Sequence, residues 1–411
     1  MGNVLFVTWD GGGNLPPALG IASELRRRGD RVRFLGHAVQ RSEIEAGGFG
    51  FEAYASARPW SSSVPIDGPP GPAYAAVFSD RGIGDDLLAE VAREPAELVV
   101  VDGLLIGALD AADRAGLRRA ILVHSFYGVM HDALTVSPLG AALRQQGFDP
   151  ESLYSAADRV LVTTLEALDP AVERRLTDGV SYTGPILPGL TLGQAATDDT
   201  DGSEPTILVS LSTTWIDGQQ AALQTILDAV GALPLHAVVT TGPGIDPADL
   251  RAPAHIELHR RLPHEPVMRR ASLVVGHGGH ATTMLALAHG VPLLIMPMNP
   301  RFDQPTIGRV IQEQGAGRML DMSSTADEVR QAVAELLRPG PHRAAAARLG
   351  GLIRERDGAA VAADELSTVR DRSRVGRRRR RPQPRLRERP SGRDAPAMRT
   401  ALRSLRQSQP P

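Results

Sequence analysis

Short, wholly apolar runs alternate along this chain with longer stretches in which apolar residues return every three or four positions. Val4–Trp9 is such a run. Gly11–Gly13 breaks it, and Leu15–Arg28 follows with helical spacing that closes at Gly29, before a second run at Val32–Leu35. Strand, Gly-rich turn, helix and strand in that order predict the start of a parallel α/β domain. Leu98–Val101 and Ala120–Val123 read as further strands with helical Ile106–Ala115 between them, and Val160–Thr163 as the last. The stretch from Tyr54 to Tyr74 is rich in Pro, Ser and Gly and reads as a long loop, of the length that tends to be functional.

Leu187–Glu204 is polar and strand-free, and then the pattern begins again. Strands are predicted at Ile207–Leu211, His236–Thr240, Ile256–Leu258, Leu273–Val275 and Pro292–Met296. Helices are predicted at Gln219–Val230, Pro266–Arg270, Ala281–His289 and Pro305–Glu313. Ala326–Leu337 and His342–Ile353 add amphipathic helices, the second continuing through Ala359–Leu366. The expectation is an α/β fold of two doubly wound, Rossmann-like domains: 1–190, a linker at 191–204, and 205–369. Strand carboxyl ends face the crevice in such sheets, so a site is expected in the cleft between the domains.

Composition narrows the chemistry. The 411 residues contain no Cys, which excludes disulfides, thiolate zinc sites and Cys nucleophiles. No apolar run approaches the ~20 residues that cross a bilayer, and the first residues lack a secretory pattern, so the cytoplasm is the expected compartment. The formal net charge of −2 conceals a split, because residues 370–411 hold 15 Arg against three acids. This end cannot bury enough apolar surface to fold alone and is read as a disordered tail. It is either a solvated extension or an arm for anionic surfaces, and nucleic acid is not an expected partner of the acidic body.

The strongest local signal is Leu273–Leu287, LVVGHGGHATTMLAL. A buried strand delivers His277, two glycines permit close approach of backbone, and a helix opens near Ala281. Unsatisfied N–H groups and the helix dipole make such an end an anion site; a tight turn around a core histidine would read the same. The spacing is not that of a P-loop. Nor is Gly11–Gly13 a dinucleotide fingerprint, because Pro16 stands where the third glycine is required and no acid follows Val32–Leu35.

His277-Gly278-Gly279 with Thr282, Pro297 and Asp303-Gln304-Pro305 resembles the nucleotide-sugar signature of family 1 glycosyltransferases of GT-B architecture. Arg261-Leu262-Pro263-His264 stands where that family contacts the nucleobase. The likeness extends over residues 1–366 and is nearest to the actinobacterial branch that decorates natural products. It implies an inverting, metal-independent hexosyltransferase without a cofactor, taking a UDP- or dTDP-sugar as co-substrate and a hydrophobic small molecule as acceptor. A homodimer is compatible with it. Carried over by position, His277, Gly279, Ala281 and Thr282 would hold the diphosphate, with Ser212 and Thr213 adding hydroxyls. Arg261 and Leu262 would meet the base, and Asp303 and Gln304 the sugar.

The same resemblance puts Asn14 at the position of the usual general base, and a neutral amide cannot take a proton. Asp102 matches the supporting carboxylate. Three substitutes stand open: Asp10 on the Gly loop, His124 at the end of the Ala120–Val123 strand, and Asp102 acting directly; Asp102 working with His124 is preferred to Asp10, and an acceptor that needs little deprotonation is the remaining alternative. A capping Asp10 and a core His124 are the plainer readings. Trp60, Tyr74, Phe126 and Tyr127 would wall an acceptor pocket, or else anchor loops and core. A nucleotide-sugar epimerase and a non-catalytic partner of a transferase are the rival functions.

Overall fold

The computed structural model describes residues 2–64, 66, 70–187, 189–190, 204–211 and 216–379. Thirteen strands are found among them. β1 (Asn3–Val7), β2 (Arg31–Gly36), β3 (Gly50–Ala53), β4 (Leu98–Asp102), β5 (Arg119–Val123), β6 (Arg159–Val162) and β7 (Val180–Tyr182) form the first sheet, in the order β3-β2-β1-β4-β5-β6-β7. β8 (Thr206–Ser210), β9 (His236–Thr240), β10 (Ile256–His259), β11 (Ala271–Gly276), β12 (Leu293–Ile295) and β13 (Gly317–Met319) form the second, in the order β10-β9-β8-β11-β12-β13. All the pairings are parallel.

Why these runs become strands is visible in their burial. β4 (LVVVD) and β5 (RAILV) are buried at every position, because helices cover both faces of a parallel sheet. In each sheet the strand order reverses once, between β1 and β4 and between β8 and β11. A doubly wound sheet opens its binding crevice there, at the strand carboxyl ends.

Seven helices matter below: α1 (Leu15–Arg27), α2 (Pro70–Phe78), α3 (Tyr127–Thr135), α4 (His280–Ala288), α5 (Gln304–Glu313), α6 (Pro341–Arg354) and α7 (Gly358–Arg379). The structure corrects the sequence reading in several places. β3, β7 and β13 were not expected. The long loop is shorter than predicted, because α2 begins at Pro70. α7 is a separate helix rather than a continuation of α6, and it runs past residue 369 to Arg379.

α7 also corrects the domain boundary. Ala362, Ala363, Leu366 and Val369 are buried in one cluster with Val4, Phe6, Ile21, Leu25 and Phe34 of the first sheet and α1. Arg28 to Asp364 at 2.5 Å, Arg159 to Glu365 at 3.0 Å and Arg370 to Asp30 at 2.8 Å fasten the same face. The chain thus returns from the second domain to finish the core of the first. Apolar spacing showed that this helix has a buried face but not which sheet buries it. The interdomain linker 191–203 and the end of the chain from 380 lie outside the described residues.

Candidate active site at the two switch points

The loop after β1 carries Asn14, which enters α1 just ahead of Pro16 and Pro17, residues suited to a first helical turn. Its side chain is buried and does not cap the helix. Instead Nδ2 donates to Asp102 Oδ2 at 2.9 Å and to the Trp9 carbonyl at 3.0 Å, while Oδ1 accepts from Gly11 N–H at 3.2 Å. Asp102 closes β4, and its other oxygen accepts from Leu104 N–H at 3.0 Å. His124, the first residue after β5, places Nδ1 3.5 Å from Asp102 Oδ2. That nitrogen is buried and has no hydrogen-bond partner among the described residues.

Asp10 has a different task. Its Oδ2 accepts from Ser62 N–H at 2.7 Å and Ser62 Oγ at 3.1 Å, and its carbonyl accepts from Trp60 Nε1 at 2.8 Å. Asp10 therefore anchors the 60–62 loop, rather than capping a helix. Trp60, Tyr74 and Phe78 gather around Trp9, and Phe302 from the second domain meets Tyr74 edge-on at 5.1 Å. Burial and the charge of Asp10 push the Tyr74 hydroxyl up to about 12, so it stays protonated at neutral pH.

The expected acceptor wall is only partly present. Trp60 remains half-buried, and Tyr74 and Tyr127 retain slivers of surface. Phe126 is 0% exposed and packs with Leu208, Val274 and Ile295 of the second domain, so it presents no face to a ligand. It belongs to the contact between the domains.

At the second switch point β11 delivers His277. Gly278 has φ +86°, and a Cβ there would meet Gln304 O and Ile295 Cγ2 at 3.0 Å. At Gly279 a Cβ would lie 2.6 Å from His277 Nε2. Only glycine allows the ring to lie over the entrance to α4, whose N-cap Gly279 supplies no side-chain partner for the first amides. Burial drives the His277 imidazole down to about 4, against a hydrogen bond to the Ser210 backbone that resists the fall, with His264 adding to it. The ring is neutral at pH 7. Thr240 donates to Ser210 Oγ at 2.8 Å and contacts His264 Nε2 at 3.3 Å, which completes a polar corner at the ends of β8, β9 and β11.

Thr282 is half-buried and Ala281 exposed in the first turn of α4. Arg261 is exposed, and Leu262 packs half-buried against the second-domain core. Ser212 and Thr213 lie outside the described residues. Gln304 spends its side-chain oxygen on Met298 N–H at 2.8 Å and Asn299 N–H at 2.9 Å.

Asp303 reaches across the cleft, where Ser125 Oγ donates to its Oδ2 at 2.6 Å. Burial raises its carboxyl above the usual range, while the Ser125 bond and nearby His124 pull it back. A second cross-cleft pair joins His280 Nε2 to Thr164 Oγ1 at 2.8 Å, with the ring edge-on to Phe126 at 6.0 Å. Burial, then the proximity of His124, brings the His280 ring down to about 3, so it too is neutral. Ser125, Thr164 and His280 were not singled out from sequence. The available signal was the second histidine of GHGGH, at the first position of a helix that already carried an anion-site motif.

Residues 224–356 match the family described as erythromycin biosynthesis protein CIII-like, C-terminal domain. The chain is 24% identical to 4'-demethylrebeccamycin synthase of Lentzea aerocolonigenes over 419 residues, covering 88% of this chain and 98% of that protein. The second domain thus matches an EryCIII-like C-terminal domain, and the full-length relative is named for a synthase of a glycosylated natural-product pathway. An uncharacterized glycosyltransferase of Methanosarcina mazei is 31% identical over 126 residues, which is 30% of this chain and a third (33%) of that relative's length. In three dimensions the chain is similar to the calicheamicin glycosyltransferase CalG4, with a TM-score of 0.73 at 23% identity over 90% of this chain and 99% of the other. The fold expected from the two repeated α/β patterns is therefore the one found. Among the described residues no helix is long and apolar enough to cross a membrane.

Proposed function

We propose that this protein transfers a hexose or deoxyhexose from a UDP- or dTDP-sugar to a hydrophobic small molecule, in one inverting displacement. The observation that carries the reading is the corner formed by His277, Gly278, Gly279 and the start of α4. A neutral imidazole and free backbone amides converge there on a helix N-terminus with no acid in its first turn. Charge develops on the diphosphate oxygen as the sugar–oxygen bond breaks, and donors fixed in advance stabilise it without reorganising. Thr282 adds a hydroxyl. Arg261, whose planar guanidinium stacks as a ring does, would lie on the base, with the Leu262 backbone at the base edge. Asp303 and the Gln304 amide would hold the sugar.

The acceptor belongs on the first-domain side of the cleft, against Trp60 and the rims of Tyr74 and Tyr127. Its hydroxyl, phenol or nitrogen approaches the anomeric carbon from the face opposite the diphosphate, which fixes inversion. Binding of UDP and dTDP by calorimetry, with His277→Ala alongside, tests the donor corner. At least a tenfold loss is expected, and undiminished affinity overturns the assignment. A mass-spectrometric screen of nucleotide sugars against aglycones tests transfer itself; a product that forms from the nucleotide sugar alone would instead indicate an epimerase.

A further inference from the structure

Sugar transfer to an alcohol requires that the hydroxyl lose its proton as the new bond forms, and Asn14 cannot accept it. Its amide has hydrogens where a base needs a lone pair, and those hydrogens are held by Asp102 and the Trp9 carbonyl. Asp10, the other carboxylate of that loop, is engaged with Ser62. From these contacts and those of His124, we infer that His124, positioned by Asp102, is the catalytic base that takes the acceptor proton. The inference rests on the sugar-transfer reading above.

Three features converge. First, Asp102 Oδ2 receives Asn14 on one side and faces His124 Nδ1 at 3.5 Å on the other, so a single carboxylate oxygen serves both. Second, His124 Nδ1 is buried and has no hydrogen-bond partner among the described residues, and Asp102 Oδ2 stands 3.5 Å from it. A slight approach makes Nδ1–H the donor to Asp102, which fixes the tautomer and leaves the Nε2 lone pair basic, the arrangement by which a carboxylate equips histidine as a base. Third, the groups near His124 come from three elements. Asp102 from β4 and Asp303 ahead of α5 are carboxylates, and His280 on α4 is neutral. Asp303, the residue expected at the sugar, is close enough to His124 to feel its charge, and Asp102 Oδ2 lies 3.5 Å from the ring's Nδ1.

The acceptor O–H proton passes to His124 Nε2 while its oxygen forms a bond to the anomeric carbon. The anomeric carbon–oxygen bond to the diphosphate breaks, and its electron pair leaves with the nucleoside diphosphate. The imidazolium afterwards returns its proton to solvent.

The test uses the full chain, UDP-glucose or dTDP-glucose, and two acceptors: phenol, and an acidic nitrophenol already ionised at the assay pH. His124→Gln should lower kcat about 10²–10⁴-fold with phenol and less than about tenfold with the nitrophenolate, which has no proton to lose. UDP or dTDP affinity by calorimetry should stay within about twofold. Asp102→Asn, which keeps the shape of the site, should show the same selectivity at smaller amplitude and provides the test should the His124 variant not fold. Equal losses with both phenols make His124 structural and overturn its assignment; so does full activity with both. Wild-type protein that binds UDP or dTDP yet transfers to neither phenol overturns the sugar-transfer reading, and the role of His124 with it.

Discussion

Asn14 and Asp102 are joined by a 2.9 Å hydrogen bond across the point where the first sheet reverses its strand order. The bond gives the buried carboxylate a neutral partner in place of the imidazole that the family resemblance places at that position. Asn14→Asp replaces this donor with a second anion at the same distance. Two carboxylates so close cannot both ionise, so one carboxyl acquires a raised pKa in the folded state. Such a group stabilises the fold at low pH and loses that contribution as pH rises. Thermal unfolding of Asn14→Asp should lie well below wild type at pH 8, with a smaller gap at pH 5. A gap that widens on acidification counts against this account.

His277 and His280 are held down to about 4 and about 3 by burial, against an ordinary histidine near 6.5. Between those values the unfolded chain binds protons that the folded chain refuses. Their contribution is therefore complete above pH 6.5 and is lost as pH falls toward 4. Tm should drop by several degrees between pH 7 and pH 5 in the absence of nucleotide. His280→Gln, which keeps a polar group against Thr164, should show a shallower decline. An equally steep curve in that variant would assign the acid sensitivity elsewhere.

Gly279→Ala places a methyl group where His277 Nε2 lies 2.6 Å away. The ring is the displaceable partner, so the cost should fall on nucleotide affinity, at least tenfold by calorimetry, with a Tm change of a few degrees at most. Gly278→Ala should behave in the opposite way. Its φ of +86° and its contacts with the Gln304 backbone and the Ile295 side chain leave no easy adjustment, so stability falls by about 1–3 kcal/mol.

Much of this arrangement was legible in the chain because central parallel strands are apolar throughout. β1, β4, β5, β8 and β11 read directly from their runs. β3, with its Gly-Phe-Glu-Ala sequence and exposed positions, and the three-residue β7 and β13 lie at or near the sheet edges, where one hydrogen-bonded neighbour and partial solvation leave little apolar signature. The His277 corner was legible because its geometry is local: strand, two glycines, helix. Ser125 with Asp303, and Thr164 with His280, join residues more than a hundred positions apart. No spacing rule connects them. Phe126 misled for a related reason, since an aromatic residue after a strand gives no sign of which domain will cover it.

Removal of α7 should unfold the first domain although the helix follows the second in sequence. Ala362, Ala363, Leu366 and Val369 are at most 3% exposed and would be lost from a cluster shared with α1 and the first sheet. At about 0.8 kcal/mol per buried methylene this amounts to several kcal/mol, comparable with the stability of a whole domain. A chain ending at residue 357 should aggregate or show a broad, low-temperature transition. A chain ending at 379 should keep the wild-type Tm, and equal behaviour of the two would refute the packing argument.

Ser125→Ala isolates the hydroxyl that crosses the cleft to Asp303. Burial already raises the Asp303 carboxyl, and the Ser125 hydrogen bond opposes the rise by favouring the ionised form. Without the hydroxyl the carboxyl moves further up, and a larger fraction is protonated in mildly acidic solution. A protonated acid accepts fewer hydrogen bonds from sugar hydroxyls. The KM for the nucleotide sugar should therefore rise on the acid side, with the pH at which it begins to climb displaced upward relative to wild type. Affinity for free UDP or dTDP, which lacks the sugar, should change less than about twofold. Asp303→Asn removes the titration altogether and should give a high KM that is flat with pH over that range. A Ser125→Ala profile that superimposes on wild type would mean that the 2.6 Å contact does not govern the Asp303 carboxyl during turnover.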